Sequence, residues 1–129
     1  MTILEKGHAI AFDFDGVIHK YSKGWQDGSI YDEPNWEVVM LMILLASGDY
    51  PVFILSTRDP KQIEEWWNKK GWLLRAKVID SDVTFYNDCK YIGVTNKKLP
   101  AQLYIDDRAY SYTGQSAEDF LKEFILLND

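Results

Sequence analysis

The stretch His8-Ala9-Ile10-Ala11-Phe12-Asp13-Phe14-Asp15-Gly16 decides how the rest of the chain is read. Residues 8–14 form a nearly continuous apolar run, the pattern of a strand covered on both faces of a parallel sheet. Asp13 and Asp15 break that run at its C-terminal end, and Gly16 supplies the turn that closes it. Carboxylates beside a buried strand are costly unless something pairs with them.

Working outward, Val17 to Glu33 is a long mixed connection holding Tyr21, Trp25 and Tyr31, the kind of segment expected to act as a lid or binding loop. A helix is predicted from Pro34 to Ser47, with Pro34 at its first position and Gly48 as its stop. Its apolar residues nearly encircle it, so it is expected to be well buried. Pro51 to Ser56 reads as a second buried strand. Asp59-Pro60-Lys61-Gln62 then carries an N-cap, an N1 proline and a capping-box glutamine. The helix they open places Ile63, Trp66 and Trp67 on one face and stops near Gly71. A third strand is expected over Ala76 to Asp80, a short one near Ile92-Gly93-Val94, and a last one over Gln102 to Asp106. Ser116 is predicted to cap a final helix with Phe120, Leu121, Phe124 and Ile125 as its apolar face. This alternation predicts one α/β domain over residues 1–129, a Rossmann-like three-layer sandwich around a mostly parallel sheet.

The composition agrees with a single globular domain: 129 residues, 47% apolar and 26% charged. Cys89 is the one cysteine, so no internal disulfide forms, which suits a reducing compartment. The N-terminal residues lack the pattern of a signal peptide. The longest apolar run, Val38 to Ala46, falls far short of the ~20 residues of a membrane span. A cytoplasmic location without a membrane partner is therefore expected. A net charge of −6 disfavours salt-driven binding along nucleic acid but leaves room for a local cationic pocket.

The polar residues fall at strand ends. Asp13 and Asp15 end the first strand, Ser56 and Thr57 the second, and Asp106 and Asp107 the last. In a parallel sheet these ends share one edge, where open α/β folds bind ligands. Four carboxylates there repel one another and call for a hard divalent cation; oxygen ligands of this kind suit Mg²⁺. Lys98, or its neighbour Lys97, adds positive charge, and Ser56 or Thr57 adds a hydroxyl. Metal, lysine and hydroxyl together describe a phosphate site.

These residues resemble the motifs of the haloacid dehalogenase-like superfamily of phosphatases. Asp13-Phe14-Asp15-Gly16-Val17-Ile18 is similar to the family's first motif, with Val17 where threonine is usual. Phe53-Ile54-Leu55-Ser56 is similar to the second, Lys98 to the third, and Ile105-Asp106-Asp107-Arg108 to the fourth, all in family order. The resemblance implies a Mg²⁺-dependent phosphohydrolase working through an aspartyl-phosphate. Asp13 is then the nucleophile and Asp15 the general acid and base. Asp13 and Asp106 would ligate the metal directly, Asp15 through its backbone carbonyl, and Asp107 directly or through water. Ser56 and Lys98 would hold the phosphoryl oxygens. Neither Gly16 to Pro34 nor Ser81 to Lys98 is long enough for the cap domain many members carry, so a capless, open site is implied.

Ser56-Thr57-Arg58 and Asp106-Asp107-Arg108 also resemble the phosphatase domain of polynucleotide kinase-phosphatases. That points to a nucleotide or a nucleic-acid end as the phosphorylated partner, with Arg58 and Arg108 either touching its phosphate or pairing with nearby acids. Two other functions are compatible with the residues: a receiver-like phospho-accepting module, with Asp80 as acceptor, and a phosphate-ester binding protein without turnover. His8 and His19, the only histidines, are expected to be structural.

Overall fold

The computed structural model describes residues 3–109 and 111–124. Its elements alternate as β1 (Ile10–Asp13), α1 (Trp36–Ser47), β2 (Val52–Leu55), α2 (Pro60–Lys69), β3 (Ala76–Val78), β4 (Ile92–Thr95), β5 (Leu103–Ile105) and α3 (Ala117–Phe124). The five strands form one sheet in the order β3-β4-β2-β1-β5, and every pairing is parallel. The domain is α/β, as its alternating pattern predicts.

Strand alternation sorts the core into two sides. Ile10, Phe12, Val52, Ile54, Ile92 and Val94 face α1 and α2, where they meet Val39, Met42, Ile63 and Trp67. Ala9, Ala11 and Phe53 point the other way and pack with Tyr86 and Leu99. No described helix covers this second side. It is closed by the irregular connections 79–91 and 96–102, so the third layer of the expected sandwich is chain without regular structure. Neither connection forms a helix, and 96–102 is too short to hold one as well as its turns. Gly93 makes this closure feasible: a Cβ there would lie 2.7 Å from Ile79 Cδ1 and 2.8 Å from Tyr86 Cζ.

Helix α1 departs from its expected burial. Val39, Met42 and Ala46 are buried, whereas Trp36, Met40, Leu41 and Leu44 stay exposed. A helix lying on one face of a sheet offers that face only one side. Its start is also later than predicted. Asn35 occupies the N-cap position, and its N–H donates to Ile18 O at 2.7 Å, which holds Pro34 and Asn35 outside the helix.

Helix α2 follows its sequence signals more closely. Asp59 caps it by accepting from Lys61 N–H, and Pro60 is the first helical residue. Trp67 is fully buried and its indole N–H donates to Leu74 O at 2.8 Å. Two further side chains cover the open edge of β3. Asn68 exchanges hydrogen bonds with Ala76 N–H and Ala76 O, and Glu64 accepts from Val78 N–H at 2.7 Å. An edge strand is thereby closed to pairing with another chain. Helix α3 is capped by Ser116, which accepts from Asp119 N–H, and buries none of its residues; Ile125 lies outside the described residues. No described helix is long and apolar enough to cross a membrane.

Candidate active site

The parallel register brings the strand ends together. Asp13 pairs with Leu55, and Leu55 with Thr95, while Phe12 pairs with Ile105. The residues that follow these strands therefore emerge on one edge. They border an open cleft of about 500 Å³ lined by Asp13, Asp15, Ser56, Thr57, Lys98, Asp106 and Asp107, with Tyr21, Asn96, Tyr104 and Arg108 around them.

Asp13 is half-buried at the floor of the cleft, and its Oδ1 accepts from Phe14 N–H at 2.8 Å. Asp106 and Asp107 are exposed beside it. One carboxylate oxygen from each of these three residues lies within 4.8 Å of the others. Among the described residues, no lysine, arginine or histidine forms an ion pair with any of the three. Burial raises the Asp13 carboxyl to about 6; the Phe14 N–H opposes that, and the charges of Asp106, Asp107 and Asp15 add to it. Oxygen-only donors at this spacing, with uncompensated charge, fit a hard divalent cation such as Mg²⁺.

Gly16 shapes the approach of Asp107. Its φ of +85° is one that side-chain-bearing residues rarely adopt, and a Cβ added there would collide with the Asp107 carboxylate. The turn after β1 thus lets the segments that follow the neighbouring strands β1 and β5 approach closely.

Ser56 is buried at 7% exposure; its N–H donates to Thr95 O and its Oγ accepts from Arg58 N–H at 3.2 Å. Thr57 is exposed, and both residues line the cleft. The two lysines separate: Lys98 lines this cleft, with Nζ 5.0 Å from the Tyr104 ring centre, while Lys97 borders a neighbouring depression with Asp80 and Ser81. Asp80 follows the edge strand β3, with β4 and β2 between it and β1.

Asp15 sits differently from the other acids. His19 Nδ1 is 2.8 Å from its Oδ1, and Arg58 Nε donates to its Oδ2 at 2.8 Å. Arg58 is spent on the protein itself. Besides Asp15 it donates to Gly28 O, Ser29 O and Gln62 Oε1, and it does not line the cleft, whereas Arg108 does. Of the two roles that sequence allows Arg58, its contacts match the pairing of a nearby acid.

Two residues of this region were not legible as functional in sequence. His19 is fully buried among aromatic rings, and Gln62 sends its amide to Gly28 O at 2.8 Å instead of back to its helix cap. The one available signal for His19 was its place four residues after Asp15 in a turn. Nothing local marks Gln62, because its partner lies 34 residues away.

No family model, no curated protein and no solved structure matches the chain.

Proposed function

We propose that this protein is a Mg²⁺-dependent phosphomonoesterase with a capless haloacid dehalogenase-like fold, acting through an aspartyl-phosphate on Asp13. The observation that carries this reading is the triad Asp13, Asp106 and Asp107. Its oxygens lie within 4.8 Å of one another, have no ion-pair partner among the described residues, and share one cleft with Ser56 and Lys98. A bound Mg²⁺ would offset the carboxylate charge and polarise a phosphoryl oxygen.

The chain's own residues then divide the work. A carboxylate oxygen of Asp13 attacks phosphorus, the ester P–O bond breaks, and the departing oxygen takes a proton from Asp15. Asp15 next accepts a proton from water as that water attacks the acyl phosphate, which releases inorganic phosphate and restores Asp13. Lys98 and the hydroxyl of Ser56 or Thr57 stabilise the charge spread over the phosphoryl oxygens. The cleft is open enough for a nucleotide or the phosphorylated end of an oligonucleotide, and Tyr21, Tyr104 and Arg108 border the space its leaving group would occupy.

Sheet order favours this reading over a receiver-like module. Asp80 follows edge strand β3, three strand positions from β1, on the order of 14 Å at the usual strand spacing. It faces a different depression from Asp13. The test is hydrolysis of an aryl phosphate with Mg²⁺, followed by a panel of nucleotides, sugar phosphates and 3′- or 5′-phosphorylated oligonucleotides. Turnover that needs Mg²⁺ and vanishes in Asp13→Asn is expected. Folded protein inert across the whole panel, or a stable phospho-adduct on Asp80, sinks the proposal.

A further inference from the structure

His19 has no exposed surface, yet both of its ring nitrogens are engaged. Nε2 faces the backbone N–H of Asp32 at 3.0 Å. A backbone N–H can only donate, so Nε2 is the unprotonated nitrogen that accepts. The imidazole proton therefore sits on Nδ1, which points at Asp15 Oδ1, 2.8 Å away. A ring protonated on both nitrogens would set two donors against each other at Asp32. The rings of Phe14, Tyr21 and Tyr31 surround the imidazole at centroid distances of 5.6, 5.4 and 5.1 Å and leave it little room to turn.

The opposite side of Asp15 repeats the arrangement. Arg58 Nε holds Oδ2, and the same guanidinium and Gln62 both donate to Gly28 O. Each donor to Asp15 thus also fastens the connection of residues 20–33: His19 through Asp32, Arg58 through Gly28. We infer that His19, as its Nδ1–H tautomer, is a positioning residue that aims the Asp15 carboxylate into the cleft and links it to the seating of the 20–33 connection. The role of Asp15 rests on the phosphomonoesterase reading; the tautomer and its two partners do not.

The two parts can be tested separately. Long-range ¹H–¹⁵N NMR on the full chain, with His8→Gln to assign the signals, should show His19 protonated on Nδ1 only. An Nε2–H or doubly protonated ring overturns the inference whatever the enzyme does. For turnover, 4-nitrophenyl phosphate, whose leaving group needs little protonation, is compared with an alkyl phosphate, whose leaving group needs a proton. His19→Gln keeps an acceptor near the Nε2 position but loses the donor to Asp15. It should lower the single-turnover rate of alkyl-ester cleavage about 10- to 100-fold, with the nitrophenolate burst rate within about 3-fold of wild type, while steady-state kcat, which includes the water attack assisted by Asp15, falls on both esters. His19→Asn, whose amide overlays Nδ1, should recover most of that loss. Equal losses in the single-turnover cleavage rates of both esters, or no recovery in His19→Asn, make His19 merely structural and overturn the positioning role. If neither variant keeps a cooperative thermal transition, the tautomer measurement on wild type decides. Wild type inert on both esters sinks the enzymatic reading instead, and the NMR result alone then decides whether the Asp15–His19–Asp32 link stands.

Discussion

Asp13 and Asp15 are two residues apart on one turn and border one cleft, yet their surroundings are opposite. Asp13 belongs to a group of three carboxylates that no cationic side chain pairs with among the described residues, and burial and mutual repulsion raise its carboxyl to about 6. Asp15 has each oxygen held at 2.8 Å, one by His19 and one by Arg58. In the proposed enzyme a divalent cation would complete the first arrangement, since uncompensated charge in a half-buried site is unfavourable. The second is complete within the protein, and its partners fix an orientation. Identical side chains two residues apart thus stand in opposite settings, one among carboxylates and one between two nitrogen donors.

The strongest way to break this contrast is to separate metal affinity from turnover. Asp106→Asn should weaken Mg²⁺ binding, read by calorimetry, and lower turnover on the order of 100-fold or more, since a direct ligand is lost. Asp15→Asn should leave Mg²⁺ affinity within about 2-fold, because only its backbone carbonyl is assigned to the metal, while turnover falls about 10²- to 10⁴-fold. If both variants lose affinity equally, Asp15 belongs to the cation group and the contrast collapses.

The lysines sharpen the boundary of the site. Lys98 borders the cleft and Lys97 does not. Lys98→Ala should cost roughly 100-fold in turnover through lost stabilisation of the phosphoryl charge. Lys97→Ala should stay within about 2-fold, as expected of a surface change. A smaller loss is expected from Gly16→Ala, which must place a Cβ at φ +85° and push the Asp107 carboxylate aside. It should cost about 1–3 kcal/mol in urea unfolding and about 10-fold in Mg²⁺ affinity.

The strands and their C-terminal breaks were readable because buried parallel strands carry continuous apolar runs, and Asp13, Ser56 and Asp106 stand where those runs stop. Strand order was not, because which buried strand lies beside which is decided in three dimensions; β4 lies between β3 and β2 although it follows both in the chain. The exposed side of α1 was missed for a related reason. An all-round apolar helix signals burial, but here the sheet meets only one side of it. Within the site, residue types and spacing suggested the acids, the hydroxyls and a lysine. They could not separate Lys97 from Lys98, or show that Arg58 and Gln62 reach across to Gly28, because those contacts join segments about thirty residues apart. His19 was hidden for another reason: its importance lies in which atom each ring nitrogen faces, and spacing carries no such information.

The smallest expected effect probes the cation group with no catalysis at all. Asp13 is pushed from 3.8 to about 6 in the folded protein, so the native state holds that proton more tightly than the unfolded chain does. Below pH 3.8 the group costs folding nothing. As pH rises from 3.8 through about 6, ionisation is harder in the native state, so stability falls across that window and stays lowered above it. At 1.36 kcal/mol per unit, reduced for the partial exposure of the group, the loss is about 1–2 kcal/mol. Asp13→Asn removes the ionisation. In urea unfolding with a chelator present, the variant should therefore be more stable than wild type by about that amount at pH 8, with the difference fading towards pH 3. Saturating Mg²⁺ at pH 8 should reverse the order, because wild type gains binding energy through a ligand that the variant lacks. A variant no more stable than wild type without metal would show that Asp13 carries no strain for a cation to relieve. Its setting would then not differ from that of Asp15 in the way the distances imply.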